Sequence, residues 1–174
     1  MKRINEILIS VFAVMLMCTG CVRAISKELS AQATEEIRIN QVLNNPDNFL
    51  GKMVIWGGVI VESKNLKEGT LIEVVQKPLG SEERPKQVDQ SDGRFLALYN
   101  GYLETEIYSK GREVTVAGRI KEIEKRPLDE IEYTYPVVSA DEVHLWPIKT
   151  EEKYYMYSPY WYYPYPYGWY PWYW

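Results

Sequence analysis

Side chains that commonly bind metals or act as nucleophiles are scarce in this sequence of 174 residues, which contains one histidine and two cysteines. The single histidine, His144, excludes a metal site built on several histidines. A Ser/His/Asp triad would have to use His144, yet no serine lies in a nucleophile motif. A glycine–lysine phosphate loop is also absent. The sequence therefore predicts a non-enzymatic protein without a metal ion or cofactor.

Cysteine is confined to the first 21 residues, at Cys18 and Cys21. The rest of the chain therefore has to fold without disulfide bonds, even in a compartment that permits them. If Cys18 is removed with a signal segment and Cys21 is acylated, no thiolate ligand remains for a metal ion.

Long apolar runs are scarce as well, since the longest covers residues 7–17 and is interrupted only by Ser10. Eleven helical residues span about 16 Å, whereas the hydrocarbon core of a bilayer is about 30 Å thick. Lys2 and Arg3 precede the run, and the small residues Thr19 and Gly20 follow it. Residues 1–20 are therefore predicted to be a cleaved secretory signal.

The segment Leu16-Met17-Cys18-Thr19-Gly20-Cys21 resembles the bacterial lipobox, although Cys18 stands where leucine is usual. This resemblance implies that Cys21 becomes the acylated first residue of the mature chain, with outer-membrane lipid as its partner. The alternative is an ordinary secretory signal with two incidental cysteines. Val22 follows the cysteine, and by similarity to enterobacterial lipoproteins the lack of aspartate there favours the outer membrane, on its periplasmic face. A surface-exposed location is the alternative.

Charge of neither sign dominates the mature chain. Residues 1–20 hold Lys2, Arg3 and Glu6, so the remainder carries 18 basic and 23 acidic residues and a net charge of −5. Mild acidity argues against nucleic acid as a partner and against charge-driven adhesion to anionic lipid.

Residues 21–36 are polar and loosely patterned. This composition predicts a flexible tether between the lipid and the folded domain. A frayed helix is the alternative, because Ala31 and Ala33 tolerate one.

Residues 37–148 are predicted to form one domain of five or six short strands. A short helix begins at Ile37 and ends before Asn44-Asn45-Pro46-Asp47. Residues 77–92 are expected to be an exposed excursion, because seven of the sixteen are charged. Pro136 has no backbone N–H, which excludes a central position at which its strand is paired fully on both sides. The predicted strands cover residues 53–61, 70–76, 93–99, 112–120, 131–138 and 143–146.

Glycines inside the predicted strands indicate sharp bends. Gly57 and Gly58 interrupt the first strand, and Gly118 lies in a later one. Together with the long connector, these bends favour a mostly β fold, a small antiparallel OB-like barrel. An open two-layer sheet is the alternative.

Residues 149–174 form an aromatic tail whose last 21 residues include ten tyrosines, four tryptophans and four prolines. The prolines predict polyproline II or disorder. Three interpretations remain open: contact with a membrane interface, stacking on envelope glycan, and folding back over the barrel or self-association. The tryptophans for membrane or glycan contact are Trp161, Trp169, Trp172 and Trp174.

Most of residues 40–147 consist, in order, of short motifs that match one known pattern. The motifs are Asn45-Pro46-Asp47, Gly51-Lys52, Trp56-Gly57-Gly58-Val59-Ile60, Thr70-Leu71-Ile72-Glu73-Val74-Val75-Gln76-Lys77-Pro78-Leu79, Gly93-Arg94-Phe95-Leu96-Ala97, Tyr108, Gly111-Arg112-Glu113-Val114-Thr115-Val116-Ala117-Gly118, Tyr133-Thr134-Tyr135-Pro136-Val137-Val138 and Leu145-Trp146. With them the sequence resembles the Slp family of outer-membrane lipoproteins. The resemblance implies a cell-envelope role linked to stress and envelope integrity, and it implies no catalytic residues.

Two hypotheses for function follow from this sequence. The first is a structural or interaction role in the envelope, in which Trp56, Phe95 and Trp146 are core residues and Arg94 and Arg112 are ion-pair partners. The second is a module that binds peptidoglycan, another glycan or a small ligand through an exposed face of the barrel. The residues of that face are Tyr99, Tyr102, Tyr133 and Tyr135.

Overall fold

The computed structural model describes residues 23–149, which form a mostly β domain with short helices. Two helices precede the strands: α1 at Lys27–Ser30 and α2 at Ile39–Asn44, followed by a 3-10 turn at Pro46–Asn48. The break after α2 confirms the stop predicted from Asn45 and Pro46. The strands are β1 (Met53–Leu66), β2 (Gly69–Lys77), β3 (Arg94–Tyr99), β4 (Glu113–Leu128) and β5 (Ile131–Leu145).

The five strands close into a barrel in the order β1-β2-β3-β5-β4, with β4 paired back onto β1. This closed order confirms the OB-like barrel and excludes the open two-layer sheet. One detail differs from the prediction, because β3 and β5 pair in parallel while the other four pairs are antiparallel. A parallel pair is required because five strands cannot alternate in direction at every step around a closed ring.

Two predicted strands are one in the structure, since β5 runs without interruption from Ile131 to Leu145. Strand β4 likewise continues through the predicted charged turn as far as Leu128. Pro136 pairs with Ile123 of β4, while the pairing of β5 with β3 begins one residue later at Val137. The proline therefore lies where β3 does not flank the strand, as its missing N–H requires.

Close backbone contact explains two of the strand glycines. A Cβ on Gly58 would overlap the carbonyl oxygen of Val75, and a Cβ on Gly118 would overlap that of Ser139. A register shift in the β4–β5 ladder falls directly before Gly118. The glycines thus permit the tight strand approaches that barrel closure needs.

The barrel interior is filled by apolar side chains from all five strands, and Ile39 and Val42 of α2 pack into the same cluster. The alternation of each strand places these side chains on one face and a second, smaller cluster on the other. Trp56 and Phe95 meet edge to face at 5.4 Å in the interior, as the prediction of core aromatics required. The interior residues are Ile37, Ile39, Val42, Val54, Trp56, Ile60, Ile72, Val74, Phe95, Ala97, Val114, Val116, Ile120, Val138 and Ala140.

Residues 24–32, which we call the N-terminal strap, are packed against the outside of the barrel. Ala24 and Ile25 are 7% and 2% exposed and lie in a cluster with Ala117 and Trp146. This finding corrects the expectation of a flexible tether over these residues. The sequence pattern understated the packing because two adjacent apolar residues show no periodicity.

Candidate functional site

The four tyrosines proposed as a binding face do not share an exposed surface. Tyr135 is 2% exposed, so the predicted exposed face is wrong for this residue. Tyr133 is half-buried, meets Tyr135 edge to face at 4.8 Å, and accepts a hydrogen bond from the backbone N–H of Arg94 at 3.1 Å. Both side chains therefore stabilise the start of β3.

A polar cluster explains why Tyr135 is buried. Arg94 donates to Glu73 Oε1 at 2.7 Å, and the Tyr135 hydroxyl donates to the same oxygen at 3.2 Å. Burial, followed by the charge of Glu73, raises the pKa of Tyr135. The hydrogen bond to Glu73 raises the pKa of Arg94. The predicted ion-pair role is confirmed for Arg94, whereas Arg112 donates to the backbone carbonyls of Ile107 and Trp146.

Tyr99 and Tyr102 lie at the other end of β3. Tyr99 packs against the main core, whereas Tyr102 is 70% exposed and donates to Glu104 at 2.9 Å. This hydrogen bond raises the pKa of Tyr102. Of the four predicted contact residues, only Tyr102 presents most of its ring to solvent.

His144 lies beside an aromatic ring near the end of β5. Its imidazole meets the indole of Trp146 edge to face at 4.6 Å. Residues 23–149 contain no group of three or more His, Cys, Asp and Glu side chains placed to hold a metal ion. In the same part of the chain, no helix combines the length and the apolar character needed to cross a membrane.

The most connected polar site is a clamp formed by Thr115, Glu83 and Trp146. The Trp146 indole donates to Thr115 Oγ1 at 2.9 Å, and Thr115 Oγ1 donates to the carbonyl of Glu83 at 2.6 Å. The Glu83 carboxylate accepts from the backbone N–H of Ile25 at 3.0 Å and from Ser30 Oγ at 3.4 Å. The clamp therefore joins the strap to the last strand.

Arg84 extends the clamp to the C-terminal end of the described domain. Its guanidinium lies 5.0 Å from the centre of the Trp146 ring and donates to Glu113 at 2.7 Å and to the carbonyl of Pro147 at 3.1 Å. Glu83 has a φ of +64°, and Pro85 is buried and paired with Leu79. Residues 77–92 were predicted to be an exposed loop, but the tip of this loop packs against the domain through Glu83 and Arg84.

Sequence reasoning missed this clamp because charged residues in a loop usually face solvent. The one local signal is the pair Pro78 and Pro85 around Gly80, which favours a tight, ordered turn. The hydrogen bonds of Glu83 reach residues 58 positions away along the chain, and no local pattern reports them.

A cleft of about 500 Å³ lies between residues 33–39 and the loop that carries the clamp. Its lining combines carboxylates, amides, a hydroxyl and the cationic side chains of Arg38 and Lys86 with a few apolar side chains. Trp56 contributes to the floor, but its indole N–H is committed to the carbonyl of Ile37 at 2.7 Å. The polar side chains along the cleft include Thr34, Glu35, Gln76, Lys86, Gln90 and Asp92.

The remaining predicted contact residues fall outside the described part of the chain. They are Cys21 and the tail tryptophans Trp161, Trp169, Trp172 and Trp174. Their predicted roles stay predictions.

Comparison with known proteins places the chain among lipoproteins. It is 40% identical to an uncharacterized protein of Haemophilus influenzae over 104 residues, which are 59% of this chain and 56% of that protein. It is 29% identical to the uncharacterized lipoprotein YeaY of Escherichia coli, over 82% of this chain and 72% of YeaY. It is 27% identical to the outer membrane protein Slp of Escherichia coli, over 62% of this chain and 57% of Slp. The matched part thus spans just over half the length of the Haemophilus influenzae relative.

A structural likeness is weaker. The crystal structure of a small single-stranded DNA-binding protein from Streptomyces coelicolor aligns at a TM-score of 0.32 and 13% identity, over 55% of this chain and 94% of that protein. A likeness at this level carries no argument about this chain. The sequence profile of an outer-membrane lipoprotein family, by contrast, matches residues 18–174. Since that match includes both cysteines, the whole barrel and the aromatic tail, the chain belongs to the outer membrane lipoprotein Slp family.

Proposed function

We propose that this protein is anchored to the outer membrane through an acylated Cys21, on the periplasmic face, and has a structural or interaction role rather than a catalytic one. Family membership supports the lipid anchor. The position of Cys21 directly after Thr19 and Gly20 supports this cysteine as the acylated residue. A multiply acylated cysteine anchors a protein stably, whereas one acyl chain binds only marginally.

The non-catalytic role is supported by the packing and hydrogen bonding of the barrel's side chains. Fifteen apolar side chains fill the interior. Hydrogen bonds within one cluster join Glu73 to Arg94 and Tyr135. Hydrogen bonds within the clamp join Thr115 to Glu83 and Trp146. These polar groups stabilise the fold, so an interaction surface is the simplest use of the exterior. The expected partners are peptidoglycan or another envelope protein, in a role tied to envelope stress.

Metabolic labelling with palmitate tests the anchor. Wild type and Cys18→Leu, which introduces the residue usual at that lipobox position, should carry label and fractionate with outer membranes. Cys21→Ser should lose the label and the membrane association. Label that persists in Cys21→Ser, or that disappears in Cys18→Leu, would contradict the proposed site.

A second candidate function, binding of a glycan or another small polar ligand, is favoured by the cleft. Its volume of about 500 Å³ is within the range of ligand sites. Hydroxyl, amide and carboxylate groups around a partly apolar floor suit a sugar better than a lipid tail. The experiment that separates this function from a purely structural one is peptidoglycan binding, described in the Discussion.

A further inference from the structure

The N-terminal strap is fixed to the barrel at both of its ends. At its start, Ile25 is buried and donates its backbone N–H to Glu83. Ser26 donates its backbone N–H to Glu142 at 3.1 Å. At its end, Gln32 accepts from Arg119 at 2.8 Å. The strap therefore contributes no free length between the lipid and the barrel.

This docking shortens the linker between anchor and domain. A free tether over residues 21–36 would extend to about 55 Å, whereas the three residues from Cys21 to Ala24 extend to about 10 Å. An acyl group on Cys21 would thus hold the clamp end of the barrel, where Ala24 and Trp146 lie, within roughly that distance of the lipid headgroups.

The C-terminal tail begins at the same end. Trp146 shares its apolar cluster with Ala24 and Ile25, and Arg84 holds the carbonyl of Pro147. Ile148 follows and is 72% exposed. The aromatic tail, residues 149–174, therefore starts within a few residues of the point at which the lipid anchor reaches the barrel.

The opposite end of the molecule is equally well defined. Strand β4 begins at Glu113, near the clamp, and ends at Leu128, and the turn to β5 is at Asp129 and Glu130. At about 3.3 Å per residue, the end of β4 lies roughly 50 Å from Glu113, measured along the strand. One end of the barrel is tied to the anchor, and the other end is a long hairpin.

We propose that the strap docks the clamp end of the barrel onto the bilayer surface that holds its own acyl group, with the β4–β5 hairpin directed away from it. This inference rests on the proposed acylation of Cys21. The exposed residues at this end are Arg23 and Ser26 at the start of the strap and Ile148 and Lys149 after β5, whereas Ala24, Ile25 and Trp146 are buried. The partner of this end of the barrel is the headgroup layer of the membrane.

Fluorescence quenching on the full-length acylated protein in vesicles tests the orientation. An environment-independent fluorophore is attached to a single introduced cysteine, either Ile148→Cys at the clamp end or Glu130→Cys at the hairpin turn. Vesicles contain lipids with a nitroxide on the headgroup. Quenching at position 148 should be several times stronger than at position 130. Equal quenching at the two positions would overturn the proposed orientation.

Two further variants test whether the strap is the cause. A flexible Gly/Ser insert of about thirteen residues between Val22 and Arg23 restores the predicted tether length without touching the strap. Glu83→Ala removes the carboxylate that holds Ile25, and Glu82→Ala removes the same charge from the exposed neighbouring position. The insert and Glu83→Ala should lower quenching at position 148, while Glu82→Ala should not.

The outcomes separate this proposal from the proposed function. Mass spectrometry that finds no acyl group on Cys21, with protein free of the vesicles, contradicts the anchor itself. Acylated, vesicle-bound protein with unchanged quenching in both strap variants shows that the strap does not set the orientation. Circular dichroism checks that each variant is folded, and the insert keeps the test decisive if Glu83→Ala unfolds.

Discussion

The indole nitrogen of Trp146 lies 2.9 Å from Oγ1 of Thr115, a hydroxyl that is fully buried on the outer side of the barrel. The same oxygen donates its proton to the carbonyl of Glu83. One threonine therefore joins three distant parts of the chain: β4, the end of β5 and the loop between β2 and β3. The strap depends on this arrangement because Glu83 also holds Ile25.

Replacing Thr115 by valine should lower the free energy of unfolding by about 2–3 kcal/mol. The substitution keeps the shape but leaves the Trp146 N–H and the Glu83 carbonyl buried without partners, and each such group costs about 1–3 kcal/mol. Urea unfolding followed by circular dichroism measures the change. Thr134→Val, at a half-exposed position of β5, is the matched control and should change stability by less than about 0.5 kcal/mol. Similar losses in the two variants would contradict the role of Thr115.

Alanine at Gly58 or Gly118 should destabilise the barrel by at least about 2 kcal/mol. The added Cβ overlaps a backbone carbonyl of the neighbouring strand, so the strands have to separate. Gly80→Ala is the control, because its Cβ would meet only ordinary contact with Arg84 at 3.5 Å. Thermal unfolding compares the three variants, and a midpoint for Gly58→Ala equal to that of Gly80→Ala would refute the close approach.

Alkaline pH should weaken the fold partly through Tyr135. Burial, followed by the charge of Glu73, raises the pKa of this phenol in the folded state, so the folded protein holds the proton more tightly than the unfolded one. Its contribution to stability is complete below the unfolded value of about 10 and is lost as pH rises through the folded pKa. Urea unfolding at a series of alkaline pH values should show a shallower decline for Tyr135→Phe than for wild type. Identical slopes would contradict the assignment.

Peptidoglycan binding should distinguish an interaction module from a purely structural lipoprotein. If the tail stacks on sugar rings, removal of residues 153–174 should reduce pull-down by purified peptidoglycan. If the cleft binds glycan, pull-down should survive truncation and decrease in Asp92→Ala, whose side chain lines the cleft. Glu130→Ala, at the distant hairpin turn, is the control for a lost carboxylate. Failure of every form to bind would remove the glycan hypothesis.

Much of the fold was predictable because its signals are local. β-branched runs bounded by glycine and proline predicted the strands, and Gly58 and Gly118 marked the bends that the barrel requires. Trp56 and Phe95 were identified as core residues from their apolar surroundings. The merging of two predicted strands into β5 was not visible, since the charged residues after Ser139 interrupt the apolar pattern while the backbone pairing with β4 continues.

The candidate site was less predictable because it depends on pairs of residues far apart in sequence. Tyr133 and Tyr135 look alike in an alternating strand, yet one hydroxyl binds the backbone of Arg94 and the other a carboxylate of β2. Strand periodicity tells only on which of the two faces of the sheet a side chain lies. Whether the ring is exposed to solvent depends on which other residues pack over that face.

By itself, the sequence determined the short signal-like start, the position of Cys21, the mostly β class and the aromatic tail, because each depends on local sequence patterns. Only the tertiary structure decided that residues 24–32 are a docked strap and that Glu83 joins both ends of the domain. The physical reason is that the burial of Ile25 and the hydrogen bonds of Glu83 come from partners up to 121 positions along the chain, as between Ile25 and Trp146. Those partners meet only once the barrel has closed.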